Sequence, residues 1–494
     1  MVYGKIGENV NTDNLSYKRS ISLGEFLFLI IYSSFIFILS YWAFEIFSTS
    51  IPSNYEHVIF PWIIVSFILT LIGFVVIYRT PLSDVAIWFV LVSYLFMFGH
   101  VFLKVFDLHT SLVWNPGTFF HPNDKLRGAL YAILSLDFIS LGYFLNNSFS
   151  KEKNTSHGSD IELTKNNINN NMYKVGWIIF IIGLFCSLLN SYIVVTSTFR
   201  AGTYTAYAEA AGATGFLDDF AYLIIPGSTF ILCSRKYKLN SARIFTSIIS
   251  FLYLVIMVFS GSRKTQLFSI LTILICYRWV YGKHKLKLST IISTSILGFL
   301  FLNLIYIIRE YRTNLSMVIP SFIKSVIHLD FLREIFGETF AETGLSLYSV
   351  VSIVKYVPAV FHFEKGLTFV RSILAILPLG GFFPTFFKNG FSTALINKYT
   401  GIPVGSSLIG DFYWNFGMIG AIIFCLLFGI VLSKVGNMKY KGNYQEPLYF
   451  SFLFVIFICI RAGLMDIARP LAIMTLIPLL IKNLLIRYSK NRSI

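Results

Sequence analysis

The stretch VIFPWIIVSFILTLIGFVVIY, residues 58–78, decides the fold. It carries no charge along its whole length, and as a helix rising about 1.5 Å per residue it is long enough to cross a ~30 Å hydrocarbon core. A tight turn separates it from a second such run at 84–106. Working outward, comparable apolar runs lie near 24–46, 127–146, 175–197, 215–234, 241–260, 265–282, 287–308, 417–434, 446–464 and 468–486. That makes about twelve potential crossings. Backbone polar groups in lipid must be satisfied within the segment, and these runs lack the short alternation of barrel strands, so helices are expected. The expected fold is therefore all-α, a polytopic membrane protein.

Composition agrees. Hydrophobic residues make up 55% of the 494, with 51 Phe and 28 Tyr, against 13% charged, and the mean hydropathy is +0.70. A soluble globule of that composition would lack polar surface to cover itself. All five cysteines lie inside apolar runs, which implies neither a disulfide framework nor a metal cluster. The first twenty residues are polar and the first apolar run is long enough to span, so no cleavable signal is expected.

The net charge of +16 is largely a topology signal. Lys and Arg gather at Lys18/Arg19, Lys151/Lys153/Lys165, Arg235/Lys236/Lys238/Arg243, Arg278/Lys283/Lys285/Lys287, Lys434/Lys439/Lys441 and the C-terminal Lys482/Arg487/Lys490/Arg492. With the helix count above they share one side, which puts both termini in the cytoplasm. No aromatic-and-basic recognition module accompanies the charge, so nucleic acid is not an expected partner. The resulting division is a cytoplasmic N-terminus at 1–23, helices 1–4 at 24–146, and an Asn-rich cytoplasmic linker at 147–174. Helices 5–9 follow at 175–308, then a large extracytoplasmic loop at 309–416, and helices 10–12 with a cytoplasmic tail at 417–494.

The opposite side holds cations that topology does not explain. Arg200 lies in TFRAGTYTAYAEAAGATG (198–215), Arg263 and Lys264 in FSGSRKTQ (259–266), and Arg309 and Arg312 open the long loop. Arg333 and Arg371 lie within that loop, and Arg461 and Arg469 bracket IRAGLMDIARP (460–470). Any one of them reads equally as an interfacial arginine reaching for head groups. As a set beside Gly202, Gly261 and Gly463 they suit a phosphate-rich ligand, because guanidinium is planar, permanently charged and binds phosphate oxygens through paired bonds.

Within the loop, Glu334, Glu338 and Glu342 recur every four residues and share one helical face. That face is either solvated or holds a general base or a clamp for sugar hydroxyls. GLTFVRSILAILPLGGFFPTFF (366–387) is apolar but broken by Pro378, Gly380, Gly381 and Pro384. It suits a surface-lying or re-entrant segment, or a packed helix pair covering the loop's core. In GIPVGSSLIGDFYWNFGMIG (401–420), Ser406, Ser407 and Asp411 make a hydroxyl-rich approach to the tenth helix. Tyr413 and Trp414 offer flat faces for sugar rings, as an interfacial aromatic belt also would. Inside the bundle, His100, Lys104 and Asp137 are ionisable at depth, and pairing of Asp137 with His100 is expected.

The helix layout, the large outer loop before the third-last helix, and SGSRK, FGETFAET and GSSLIGDFYWNFG in that order resemble the oligosaccharide repeat unit polymerases, the O-antigen polymerase or Wzy family. The resemblance covers most of the chain from about Arg200 onward. It implies a GT-C-like glycosyltransferase of the bacterial plasma (inner) membrane with its active site on the extracytoplasmic face. The growing glycan of an O-antigen, capsule or related polysaccharide would pass from undecaprenyl diphosphate to the non-reducing end of another lipid-linked repeat unit. Carried over by motif, Arg263, Arg200 and Arg333 would hold the diphosphates. The mechanism expected here adds Arg309 and Arg371 to that set and takes the proton with Glu338, Glu342 or Asp411. Ser406, Tyr413 and Trp414 would bind sugar. No cofactor is expected, and no acid-x-acid metal motif stands at the outer face, so metal-independent transfer is expected. The partners would be donor and acceptor lipid-linked oligosaccharides, the bilayer and a chain-length regulator. A glycan ligase would look nearly the same, whereas a flippase or transporter should show matching halves and small loops.

Overall fold

A computed structural model describes residues 21–48, 54–149 (except 82, 109 and 111–115), 162–201, 215–260, 264–282, 307, 317–327 and 331–491 (except 378, 380, 381 and 403). Among the described residues every regular element is helical. The first four long helices are α1 (Leu23–Ser48), α2 (Tyr55–Leu71, continued as a π-helix over Ile72–Ile77), α3 (Val85–Val105) and α4 (Pro122–Phe149). A 40-residue α5 (Glu162–Ala201) follows, then α6 (Phe216–Ala221), α7 (Ile224–Cys233), α8 (Leu239–Ser260) and α9 (Lys264–Tyr281). The chain closes with α16 (Leu408–Gly436), α17 (Gln445–Cys459) and α18 (Leu464–Asn491).

Eight of the described helices are long and apolar enough to cross a membrane, and α9 and α17 are shorter apolar helices. The expected crossing at 215–234 is divided into α6 and α7 by a turn at Tyr222–Leu223. Pro226 stands in the first turn of α7, where its missing N–H belongs to a helix start rather than a helix interior. The expected run at 287–308 falls almost wholly outside the described residues.

α4 is the axis of the bundle. Leu126, Ala129, Leu130, Tyr131 and Ile133 are completely buried, as is the carboxylate of Asp137. Two glycines let α16 lie directly on it: a Cβ at Gly429 would run into the Ile139 carbonyl, and one at Gly142 into that of Leu426. Asp137 does not pair with His100. Its Oδ1 accepts from Tyr32 Oη at 2.9 Å and Ser66 Oγ at 2.6 Å, while His100 packs against Gly344 and the Tyr348 ring at 5.1 Å. Lys104 is exposed in the last turn of α3. Helical spacing gives the face a residue occupies but not the neighbour that face meets, and of these groups His100 and Asp137 are buried while Lys104 is not.

Between 317 and 407 lie short helices: α10 (Val318–Ile327), α11 (Phe331–Thr343), α12 (Ser346–Tyr356), α13 (Leu367–Leu374), α14 (Pro384–Lys388) and α15 (Ser392–Thr400). They pack on α3 and α4, where Gly99 meets Gly344 and Gly128 meets Val351, and they meet α16 at a break. Gly417 has φ 66° and ψ −169°, a backbone that an L side chain rarely adopts. The carbonyls freed at the break accept instead from outside the helix, Trp414 O from the Glu364 N–H at 3.1 Å and Asn415 O from the Lys365 N–H at 3.0 Å. The apolar run expected from residue 417 belongs to a helix that starts at Leu408, and the break at Gly417 falls within it, with the preceding turns held among the short helices.

The two ends of the bundle differ. α16 carries the chain from Asp411 at one end to Gly436 at the other. At the far end Lys439 pairs with Asp84 at 2.7 Å and Arg235 with Glu446 at 2.6 Å, and Trp279 Nε1 donates to Glu446 at 3.0 Å.

Candidate functional site

At the Asp411 end a cleft of about 560 Å³ opens between α6, α17, α18 and the short helices. It is lined by the polar residues Asp218, Asp219, Ser406, Arg461, Asp466 and Arg469 together with apolar ones that include Ala375, Phe387, Phe391, Ile458 and Met465. A smaller recess of about 100 Å³ adjoins it and shares Gly405, Ser406 and Arg461. Ser346 lines that recess and is buried, and its hydroxyl has no hydrogen-bond partner among the described residues.

The turn between α17 and α18 presents the arginines, and its backbone is clamped. Asp411 Oδ2 accepts from the Leu464 N–H at 2.6 Å. Ser406 Oγ donates to Asp466 Oδ2 at 2.9 Å and accepts from the Gly463 N–H at 2.9 Å. Each of these bonds ties the approach to α16 to the first turn of α18, which fixes Arg461 two residues before Gly463. The Arg461 guanidinium stands 6.0 Å from the Phe96 ring centroid. Arg469 donates from Nη1 to Asp219 at 3.0 Å and from Nε to the Ala375 carbonyl at 3.1 Å. Asn190 of α5 donates to Asp218 at 2.9 Å.

α6 lies outside the helices long enough to cross. Burial pushes both its carboxyls above the ordinary range. For Asp218 the neighbouring Asp219 charge adds to the rise and the Asn190 bond works against it. For Asp219 the Arg469 guanidinium works against it. The cleft thus offers fixed positive charge beside carboxyls that hold protons more readily than free ones, next to a wall able to cover a hydrocarbon tail.

Of the residues singled out in the sequence, Ser406 lines the cleft. Asp411 is buried beneath the turn that carries Arg461. Trp414 is buried with its Nε1 donating to the His362 carbonyl at 3.1 Å, and Tyr413 packs on the Tyr131 ring at 5.1 Å. Arg371 is buried, bonded to Glu364 at 2.8 Å and to the Asn389 carbonyl at 3.1 Å, one turn before Ala375 of the cleft wall. Arg200 is exposed in the last turn of α5. Glu338 is half-buried on α11. Arg333 and Glu342 share α11, their side chains outside the described set, and Arg263 and Arg309 lie outside the described residues. Arg263 precedes by two residues Thr265, which lines the cleft.

Asp218, Asp219 and Asp466 were missed. Their signal was available: an Asp-Asp pair opening an apolar run, and an acid between two arginines in IRAGLMDIARP. Arg461 and Arg469 are legible as outer cations, but they lie outside the motifs that carry the family resemblance.

A family model described as O-antigen polysaccharide polymerase Wzy matches residues 26–492. The chain belongs to that family, whose members are membrane glycosyltransferases acting on lipid-linked oligosaccharides. No curated protein and no solved structure matches it.

Proposed function

We propose that this O-antigen polymerase carries out its transfer in the cleft between α6, α17 and α18. The growing glycan leaves undecaprenyl diphosphate and joins the non-reducing end of a second lipid-linked repeat unit. The observation that carries the reading is the mixed lining of the cleft. Arginines and carboxylates stand among apolar side chains in one cavity of about 560 Å³, as a substrate with a charged head and a hydrocarbon tail requires.

In this reading Arg461 and Arg469 hold the donor's diphosphate and stabilise it as it departs. Arg263, adjacent in sequence to the cleft wall, joins them, and Arg200, Arg309 and Arg333 are proposed to meet the phosphates of the acceptor lipid. Arg371 positions the wall at Ala375. The acceptor hydroxyl oxygen bonds to the anomeric carbon as the bond from that carbon to the diphosphate oxygen breaks. The hydroxyl proton passes to a carboxylate, and undecaprenyl diphosphate leaves. Asp466 is the cleft carboxylate best disposed to take the proton, with one of its oxygens fixed by Ser406 and Gly463. Glu338 and Glu342 remain proposed for sugar hydroxyls, and Asp411, beneath the turn, positions Arg461. Ser406 faces the sugar, and Tyr413 and Trp414 support the irregular segment that carries it. Transfer is proposed to be metal-independent and GT-C-like. The membrane is proposed to be the bacterial plasma membrane, with the cleft on its extracytoplasmic face and both termini in the cytoplasm, and a chain-length regulator is a proposed partner.

Purified protein supplied with lipid-linked repeat units should build polymer in EDTA, read as a ladder on a carbohydrate gel. Arg461→Ala should reduce it about ten- to hundredfold, the loss expected for a charged hydrogen bond of about 1.5–3 kcal/mol. Undiminished polymer from that variant would remove the cleft from the reaction. A deletion strain should carry single repeat units on its lipid core; a core bare of glycan would indicate a ligase.

A further inference from the structure

Helix α13 is inside out. Thr368, Arg371 and Ser372 point inward and are buried, while Val370, Ile373, Leu374 and Leu377 point outward at the i, i+3, i+4, i+7 spacing of one helical face. Ile373 is 66% exposed, and after the following turn Phe382 is 79% exposed with Phe383 beside it. A helix facing water carries the opposite pattern. Arg371 is the single ionisable residue from Leu367 to Phe387, and it is turned inward onto Glu364.

The level of this segment in the molecule is fixed on two sides. Phe369 packs against Phe416 and Phe424 of α16, with ring centroids 5.7 and 5.4 Å away. Over that same stretch α16 turns Ile419 and Ile423 outward, residues of a helix long and apolar enough to cross the bilayer. On the other side Ala375 and Phe387 pack with Met465 in the first turn of α18, and Arg469 holds the Ala375 carbonyl. The segment therefore stands beside two helices long and apolar enough to cross a membrane, at a level where one of them turns apolar side chains outward.

We propose that the face formed by Val370, Ile373, Leu374, Leu377, Phe382 and Phe383 lies in the acyl region of the leaflet on the cleft's side. The segment is an in-plane wedge, lipid on one side and the cleft on the other. Its partner is the bilayer itself. The depth of the wedge does not depend on which reaction the cleft performs.

The test is a depth measurement in nanodiscs of phosphatidylglycerol and phosphatidylethanolamine. Nitroxides are placed by Ile373→Cys and Phe382→Cys in a Cys186→Ser background. Ile423→Cys on α16 serves as the lipid reference and the exposed Lys398→Cys on α15 as the water reference. Collision with oxygen, which concentrates in lipid, is compared with collision with a water-soluble nickel chelate. Positions 373 and 382 should match 423, with an oxygen-to-nickel ratio several-fold above that at 398. A ratio like that of 398 would overturn the proposal. So would labels reached by neither reagent, as at a contact with a second copy of the chain. If either variant fails to assemble, Leu377→Cys supplies the deciding reading. Because no substrate is involved, failure here leaves the polymerase reading untouched, and the reverse also holds.

Discussion

Each end of the bundle holds a cation–aspartate pair, and their surroundings give them different work. Lys439 and Asp84 meet at 2.7 Å with the lysine side chain 0% exposed, its ammonium ringed by Trp279, Tyr440 and Tyr449 at 5.1–5.8 Å from their centroids. Arg469 and Asp219 meet at 3.0 Å with the arginine side chain 38% exposed on the cleft. The first pair has no room for anything else. The second leaves guanidinium donors accessible to a ligand, and its geometry survives partial wetting. A closed pair locks helices together, while an open one of nearly the same length can exchange its partner for a phosphate.

The contrast is easiest to break at the closed end. Lys439→Ala leaves Asp84 buried without a counter-charge, which should cost about 3–5 kcal/mol. Thermal unfolding of the purified protein and its abundance in membranes should both fall, while the polymer made per folded molecule stays near normal. A variant as stable as the parent would show the far end to be looser than its packing implies. At the open end the balance reverses. Arg469→Ala should change stability by no more than about 1 kcal/mol, as for a half-exposed pair, yet lower polymer yield about tenfold on carbohydrate gels, with partial rescue by Arg469→Lys. Equal losses of stability in the two alanine variants would erase the distinction.

The smallest effect is in pH. Asp218 and Asp219 sit above the ordinary carboxyl value of 3.8, so on acidification they take up protons earlier than free carboxyls. Each proton removes negative charge from beside Arg469, and affinity for the proposed undecaprenyl diphosphate ligand should rise as pH falls through the window above 3.8. Stability shifts the same way. The folded chain holds these protons more tightly than the unfolded one, so this contribution is present at low pH and is lost as pH rises through the raised values. An Asp218→Asn/Asp219→Asn protein should bind with a flatter profile over that window; an unchanged profile would assign the pH dependence elsewhere.

The bundle was legible because apolar length is a local property. Runs such as 58–78 announce a crossing without reference to any neighbour. The site was less legible, because it is made by residues that meet only in the fold. Tyr413 and Trp414 read as sugar platforms, yet they belong to turns of α16 that the Gly417 break folds in among the short helices. Asp411 stood in a hydroxyl-rich motif, and its role as a clamp on the Leu464 N–H depends on a turn more than fifty residues away. Arg461 and Arg469 were visible as cations, but nothing in their spacing gave them Asp219 as a neighbour.

The splice at Gly417 bears on any attempt to take the protein apart. Two main-chain carbonyls of a spanning helix are satisfied from the segment carrying Glu364 and Lys365, so neither layer is complete by itself. Excising 317–407 to obtain a soluble fragment would strip the bundle of donors at the edge of a solvent that supplies none. The excised piece, in turn, would lose the surface it is sewn to. Dissection by truncation should therefore give aggregates on both sides of the cut, and single substitutions in the full-length chain are the workable route to its parts.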